Sequence, residues 1–309
     1  MWARLSGSWR RQQRAVAGHD GRMELTGTGV WSAALRYGER SEADEAAAEL
    51  EQLGYRALWI PDVGGDVFGA VESLLAATAR AVVATGILNL WMHPADETAA
   101  RHHELVRAHG PRFLVGIGVS HAPLIDAREA GRYQKPLTRM REYLDALDDA
   151  SAPLSPSDRV LAALGPKMIE LARTRAAGAH PYLAGPDNTL RTRAALGPGP
   201  LLAPEQPVIL ETDAAAAWDI ARTHLAGYLG LPNYVNNLRR GGFSDDDVTG
   251  GGSDRLVDAV VAWGDEDAIA RRVREHRDAG ADHVCVQVLG GESLALPRDA
   301  WRHLAPALT

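Results

Sequence analysis

RFLVGIGVSHAPLIDAREAGRYQKPLTRMREYLDAL, residues 112–147, is the stretch that decides the fold class. Its apolar run from Phe113 to Val119 is broken only by Gly116 and Gly118. Such a run reads as a strand buried on both faces, with glycine where another backbone or a ligand comes close. It ends in a polar pair, Ser120 and His121, where a strand leaves the core. A glycine- and charge-rich loop leads to Pro136, and then to a helix with Leu137, Met140, Leu144 and Leu147 on one face. Buried strand, polar residues at its C-terminal end, loop and helix form the unit from which a (β/α)8 barrel builds its active site.

The same alternation extends in both directions. Strand-like segments are expected at Gly29–Ala34, Ala57–Ile60, Val82–Leu90, Arg159–Ala163, Ala179–Leu183, Val208–Leu210 and His283–Val288, each followed by a helical pattern. Ser41 is expected to cap the first long helix. With the central strand this makes eight strands and no composition break, so the expected fold is α/β, a single (β/α)8 TIM barrel over residues 23–309. The surplus between Ala214 and Ser253 is expected to be a helical insertion after strand 7. An open doubly wound sheet would want G-x-G-x-x-G at the first turn. The chain has GTGVWSAAL there, with no third glycine and with Trp31 in the turn. Residues 1–22 carry five arginines and no apolar core of a signal peptide. They are expected to be a disordered extension ahead of Met23.

Composition narrows the classes of function. A net charge of -7 over 309 residues argues against a nucleic-acid surface. No apolar run approaches the length of a membrane span. The lone cysteine, Cys285, sits inside the apolar run HVCVQVL and reads as core. No disulfide can form within the chain, as suits a reducing cytoplasm. The expected partner is a small molecule, in a cytoplasmic protein that binds neither nucleic acid nor membrane.

Barrel chemistry gathers at the carboxyl ends of the strands. Those positions are Trp31, Pro61-Asp62, Asn89-Leu90-Trp91, Ser120-His121, Leu164-Gly165, Ala184-Gly185, Glu211 and Gly290. Few are charged and two are tryptophans, which suits a pocket for a flat aromatic ligand. Gly165-Pro166 opens a helix, leaving N–H groups free to meet an anion. Lys167 in that first turn opposes the helix dipole unless an anion compensates it. Ala184-Gly185-Pro186 repeats the arrangement after the next strand. His121 is the leading acid/base candidate, with His93, Ser120 and Asp62 beside it. His102-His103 lie adjacent on one helix and cannot act as an i, i+4 metal pair. Asp245 to Asp247 lack the spacing of a calcium loop, so no metal site is expected.

The wording GIGVSH, followed by Tyr133, Lys135, Pro136 and the REYLDAL helix, resembles the luciferase-like monooxygenase superfamily, within it the branch of F420-dependent oxidoreductases. LPNY at 231–234 and GADHVCVQVL at 280–289 carry the same resemblance. It implies a bound coenzyme F420, with FMN as the alternative, and hydride transfer to or from a small organic substrate. It also implies that the cofactor phosphate lies at the turns Leu164-Gly165-Pro166 and Ala184-Gly185. The third strand would then carry a bulge with a non-proline cis peptide over Gly86, Ile87 and Leu88. Asn89 would stand close to the cofactor ring, with Trp31, Gly118 and Ser120 also lining its site. Homodimers are common in this superfamily, and helices of the first half are expected to form the interface.

One departure limits the carry-over. The sugar-phosphate dehydrogenases of the superfamily place a histidine after the acidic residue that ends the second strand. Here Asp62 is followed by Val63, so their substrate and mechanism are not implied. Other barrel chemistries fare worse. A Schiff-base aldolase needs a strand-end lysine, and Lys135 and Lys167 lie in a loop and a helix turn. An amidohydrolase needs a histidine pair on its first strand, which has none. A glycosidase could use Asp62 and Glu211, but that leaves Trp31 and the phosphate-type turns without a role. An FMN-dependent monooxygenase and a non-catalytic flavin-binding relative remain as alternatives.

Overall fold

The computed structural model describes residues 25–291 and 294–309. The extension expected at residues 1–22 lies outside them. Every strand pairing given below is parallel. In order across the sheet the strands are Ala262–Gly264, Glu205–Leu210, His283–Val288, Gly27–Trp31, Ala57–Ile60, Val82–Thr85, Phe113–Gly118, Arg159–Leu161, Gly178–Ala179 and Leu201–Leu202. A short strand, Leu88–Asn89, pairs with Ile117 and Gly118 beyond the end of Val82–Thr85.

The two ends of this order are nearly the same piece of chain, because only Ala203 and Pro204 separate Leu201–Leu202 from Glu205–Leu210. On one side the Ala203 N–H donates to the Ala179 carbonyl at 3.0 Å and the Glu205 N–H to that of Pro181 at 2.9 Å. On the other, the Asp282 N–H donates to the Leu202 carbonyl at 2.9 Å and the Cys285 N–H to that of Pro204 at 3.0 Å. The parallel sheet therefore curls back on itself in the manner of a barrel, with helices outside.

All six residues of Phe113–Gly118 are buried, as a strand covered on both faces requires. Gly116 has no room for a side chain, since a Cβ there would lie 2.0 Å from the Thr85 carbonyl oxygen. The two-residue period of the strands sorts the core. Ala57, Trp59, Ala84, Leu114, Val160 and Cys285 meet in one cluster inside the curl. Leu58, Ile60, Val83, Val115 and Ile117 point the other way, into the larger cluster shared with helix residues such as Leu50, Leu74, Leu105 and Leu144.

Several boundaries differ from the sequence reading. The first strand ends at Trp31, and Ala34–Tyr37 is already helical. Glu39, not Ser41, caps Arg40–Gln52 by accepting from the Glu42 N–H. The strand expected over Ala179–Leu183 stops at Ala179. The stretch expected to be a helical insertion, Ala214 to Ser253, holds the helices Ala214–Ala226 and Pro232–Arg240, and after it come the helix Asp254–Val260 and a strand, Ala262–Gly264, that lies against Val208–Leu210. Among the described residues no helix is long and apolar enough to cross a membrane.

Candidate active site

The C-terminal ends of six consecutive strands surround a cavity of about 640 Å³. Of the residues singled out in the sequence, Trp31, Asp62, Gly86, Ile87, Gly118, Ser120, His121, Leu164, Gly165 and Pro166 line it. The geometry brings these ten, from separate turns, to one place.

The floor is built from the ends of the first and third strands. The Trp31 indole Nε1 donates to the Gly86 carbonyl at 2.8 Å. The peptide between Gly86 and Ile87 is cis, inside the segment where the family resemblance puts such a bond. A Cβ on Gly86 would lie 2.7 Å from Trp31 Nε1 and 3.0 Å from His180 Nε2, and one on Gly118 would lie 2.6 Å from the Ile87 side chain. Both glycines are thus required by close approach.

Asp62 is buried, and its carboxylate is committed. Oδ1 accepts from the Gly64 N–H at 3.1 Å, and Oδ2 accepts from the Asn89 N–H at 3.1 Å. His93 Nε2 stands 2.9 Å from the same Oδ2. Asp62 therefore ties the end of the second strand to Leu88–Asn89, and His93 is its partner. A carboxylate held this way can orient its neighbours.

His121 caps the start of the short helix Ala122–Asp126, in a stretch whose composition predicts a loop. Its ring packs 5.3 Å from that of Tyr234. Its Nδ1 is buried without a hydrogen-bond partner among the described residues. Burial pushes its pKa below the usual histidine value, and a hydrogen bond with Asn233 offsets part of that. The ring is thus neutral at pH 7. Beside it Ser120 takes a left-handed φ of 53°, and its carbonyl accepts from the Tyr133 hydroxyl at 3.3 Å.

The strand that stops at Ala179 exposes two residues the sequence reading missed. His180 and Tyr182 follow it directly and line the cavity. His180 stacks on Trp59 at 4.2 Å. Its Nδ1 lies 2.7 Å from the Ala203 carbonyl, which fixes the proton there and leaves Nε2 as a lone-pair acceptor. That Nε2 has no partner among the described residues, and burial lowers the ring to a pKa of about 4. Tyr182 packs on Trp31 at 5.5 Å and shares a hydrogen bond of 2.9 Å with the Tyr228 hydroxyl. Tyr234 and Arg240, on the helix Pro232–Arg240, and Tyr228, in the turn before it, complete the wall.

The other end of the cavity is cationic. Gly165 precedes the helix Pro166–Arg175, and Lys167 and Arg240 line the same end. A Cβ on Gly165 would meet only Arg240 Nη2, at 4.0 Å, so the space over this helix start is open.

Four of the expected cofactor contacts lie elsewhere. Leu88 and Asn89 are fully buried and do not line the cavity. The Asn89 side chain turns back on its own turn, accepting from the Trp91 N–H at 3.1 Å. Ala184 and Gly185 line a separate cavity of about 370 Å³ with Arg191 and Arg272. Gly185 is needed because a Cβ would lie 2.2 Å from the Ala259 carbonyl oxygen, a packing reason distinct from phosphate binding.

This geometry can be set beside known proteins. The sequence profile of the luciferase-like monooxygenase family matches residues 23–283. The chain belongs to the luciferase-like monooxygenase family. A Mycobacterium tuberculosis protein named as a coenzyme F420-dependent oxidoreductase is 26% identical over 113 residues, a stretch that spans 36% of this chain and 33% of that relative. Among solved structures, the coenzyme F420-dependent tetrahydromethanopterin reductase from Methanopyrus kandleri superposes with a TM-score of 0.74 at 16% identity, over 92% of this chain and 98% of the other. An F420-dependent secondary alcohol dehydrogenase gives 0.71 at 14% identity, over 92% and 99%. The FMN-bound oxygenating constituent of 3,6-diketocamphane monooxygenase from Pseudomonas putida gives 0.61 at 15% identity, over 91% and 96%. At these identities the solved structures establish the fold alone.

Proposed function

We propose that the chain is an oxidoreductase that binds coenzyme F420 in the 640 Å³ cavity and transfers a hydride between it and a small organic substrate. The observation that carries this reading is the polarity of the cavity. One end offers an open helix start with Lys167 and Arg240, suited to a phosphate. The other offers the flat faces of Trp31 and Tyr182, suited to a ring. The orphaned His180 Nε2 matches a flat heterocycle that carries ring N–H groups, since a buried acceptor is costly unless the ligand satisfies it.

In this reading Gly165, Pro166, Lys167 and Arg240 hold the phosphate, and Trp31, Gly86, Ile87, Gly118 and Ser120 place the ring. Leu164 borders both groups, and Asp62 fixes the turn beside the ring. The bound deazaflavin would supply the hydride chemistry, which the protein's own residues cannot. His121, neutral at pH 7, donates a hydrogen bond from its ring N–H to the oxygen of the substrate where negative charge develops. The arginine-lined cavity at Ala184-Gly185 is left for a negatively charged extension of the cofactor.

FMN is the second reading, because the family includes an FMN-bound structural neighbour and both cofactors share a ring and a phosphate. A non-catalytic binding relative is a third. We further propose a cytoplasmic homodimer whose single barrel domain covers residues 23–309, with the helices between Ala214 and Ser253 as a helical insertion after strand 7. Titration of the purified protein with F420 and with FMN tests the cofactor. F420 is expected to bind at least as tightly as FMN. FMN binding more than tenfold tighter, above about 1.4 kcal/mol, would reverse the assignment.

A further inference from the structure

A second chamber, of about 720 Å³, opens at the C-terminal ends of the first strand and of His283–Val288. None of its residues belongs to the proposed cofactor cavity except Trp31, which lines both. The partition is continued by a hydrogen bond. The Tyr182 hydroxyl, on the cofactor side, donates to Gln287 Oε1 at 2.7 Å, and Gln287 lines the second chamber.

Two polar groups in this chamber lack partners among the described residues, the Trp301 indole Nε1 and His224 Nε2. They come from different elements, the final helix Arg298–Leu308 and the helix Ala214–Ala226. Trp301 is 1% exposed, so water does not compensate its N–H, and leaving such a donor unmade is costly. An indole N–H only donates, and therefore calls for an oxygen acceptor. Burial lowers the His224 pKa to about 4, so its ring is neutral and can give or take a hydrogen bond.

The remaining lining sets the charge of the occupant. Among the described residues that line it there is no lysine or arginine, and Asp219 is the one carboxylate, which disfavours an anion. Ile220 and the neighbouring aliphatic side chains supply apolar surface. We infer that this chamber is a second small-molecule site, for a neutral organic compound with a carbonyl or hydroxyl oxygen on an apolar body. The inference stands apart from the identity of the cofactor, because no residue proposed for the cofactor phosphate contributes to it.

Equilibrium dialysis of the full-length protein with 2-acetylnaphthalene, and with 2-ethylnaphthalene as its oxygen-free counterpart, tests the site. One saturable equivalent of the ketone is expected, with the hydrocarbon about fivefold weaker, the scale of one net hydrogen bond. Trp301→Phe removes the N–H and keeps an aromatic ring, and should erase that preference. Ile220→Trp changes a half-buried residue and fills the chamber, and should weaken the ketone at least about tenfold. Gly165→Phe obstructs only the cofactor cavity and should leave ketone binding unchanged. Absence of saturable binding overturns the inference. So does loss of binding in Gly165→Phe with retention in Ile220→Trp, or a ketone preference that survives Trp301→Phe.

Discussion

The Trp31 indole donates to the Gly86 carbonyl at 2.8 Å, joining the ends of two strands that are 55 residues apart in the chain. This bond sets the flat wall against which the proposed ring would stack, and Trp31 is also the partition between the two chambers. Trp31→Phe keeps the ring face and deletes the donor. It should weaken cofactor binding about tenfold, since a buried Gly86 carbonyl then loses its partner. An unchanged dissociation constant by fluorescence titration would show that this wall does not touch the cofactor.

The cationic end gives a second expectation. Lys167→Ala and Arg240→Ala together should weaken FMN or F420 by about tenfold or more, as lost charge-assisted contacts to a phosphate would. Riboflavin, which has the ring and no phosphate, should bind both proteins alike. The difference should shrink at high salt, because both side chains are exposed. Equal losses for riboflavin and FMN would remove the phosphate from this end.

His121→Ala should lower kcat by roughly 10²- to 10³-fold, the scale of one lost donor to a developing oxyanion, and leave cofactor affinity within a few-fold. Burial holds the His121 pKa below its ordinary value, so the neutral ring persists as pH rises through 6.5 and beyond. Activity should then be level from about pH 6.5 to 8, declining only on the acid side as the ring protonates. A rate that falls steadily between pH 6 and 8 would instead identify an imidazolium acid.

Glu205 links pH to stability. It is fully buried, and burial raises its pKa to about 8, partly offset by the Leu183 N–H that it accepts at 3.1 Å. The raised value means that the folded state holds this proton more tightly than the unfolded chain. Its contribution is fully present below the unfolded pKa, near 4.5, and is lost progressively as pH rises toward 8. Glu205→Gln keeps an acceptor for Leu183 and carries no charge. It should be more stable than wild type by a few kcal/mol at pH 8, at about 1.4 kcal/mol per unit, and by little at pH 4.5. Denaturant midpoints at the two pH values measure this. A gap that does not widen with pH would contradict it.

Two glycines on one strand should respond differently. A Cβ at Gly116 would strike the Thr85 backbone oxygen at 2.0 Å, which cannot move, whereas one at Gly118 meets the end of the Ile87 side chain at 2.6 Å. Gly116→Ala should cost roughly 3 kcal/mol or more. Gly118→Ala should cost less and act mainly on ligand binding. Thermal melts that rank them the other way would refute this reading.

Much of this was legible in the sequence. The buried run Phe113–Gly118 and the alternation of strand and helix gave the α/β fold, because a strand covered on both faces leaves an uninterrupted apolar signature. Strand ends, together with the family resemblance for Gly86, Ile87 and Gly118, then named ten residues of the cavity. His180 and Tyr182 were missed because the expected strand ran on to Leu183. In fact it stops at Ala179, which moves both side chains from strand interior to cavity rim. Tyr228, Tyr234 and Arg240 reach the cavity by long-range packing of helices after Leu210, which no local pattern encodes. Asn89 was misplaced because the strand is interrupted between Thr85 and Leu88, so simple alternation does not carry through: Ile87 faces the cavity, while Asn89, two residues on, turns into the wall.

The central claim is that a flavin-type cofactor lies in this cavity with its phosphate over the start of the Pro166–Arg175 helix. Gly165 has an ordinary φ of -93° and open space where a Cβ would stand, so Gly165→Phe should fold as wild type does and block that place. F420 titration of the two proteins tests the claim most directly. One equivalent should bind wild type, and affinity should fall about a hundredfold or more, roughly 2.7 kcal/mol, in Gly165→Phe at an unchanged melting temperature. Equal affinity in both proteins, or no binding to wild type, would contradict it.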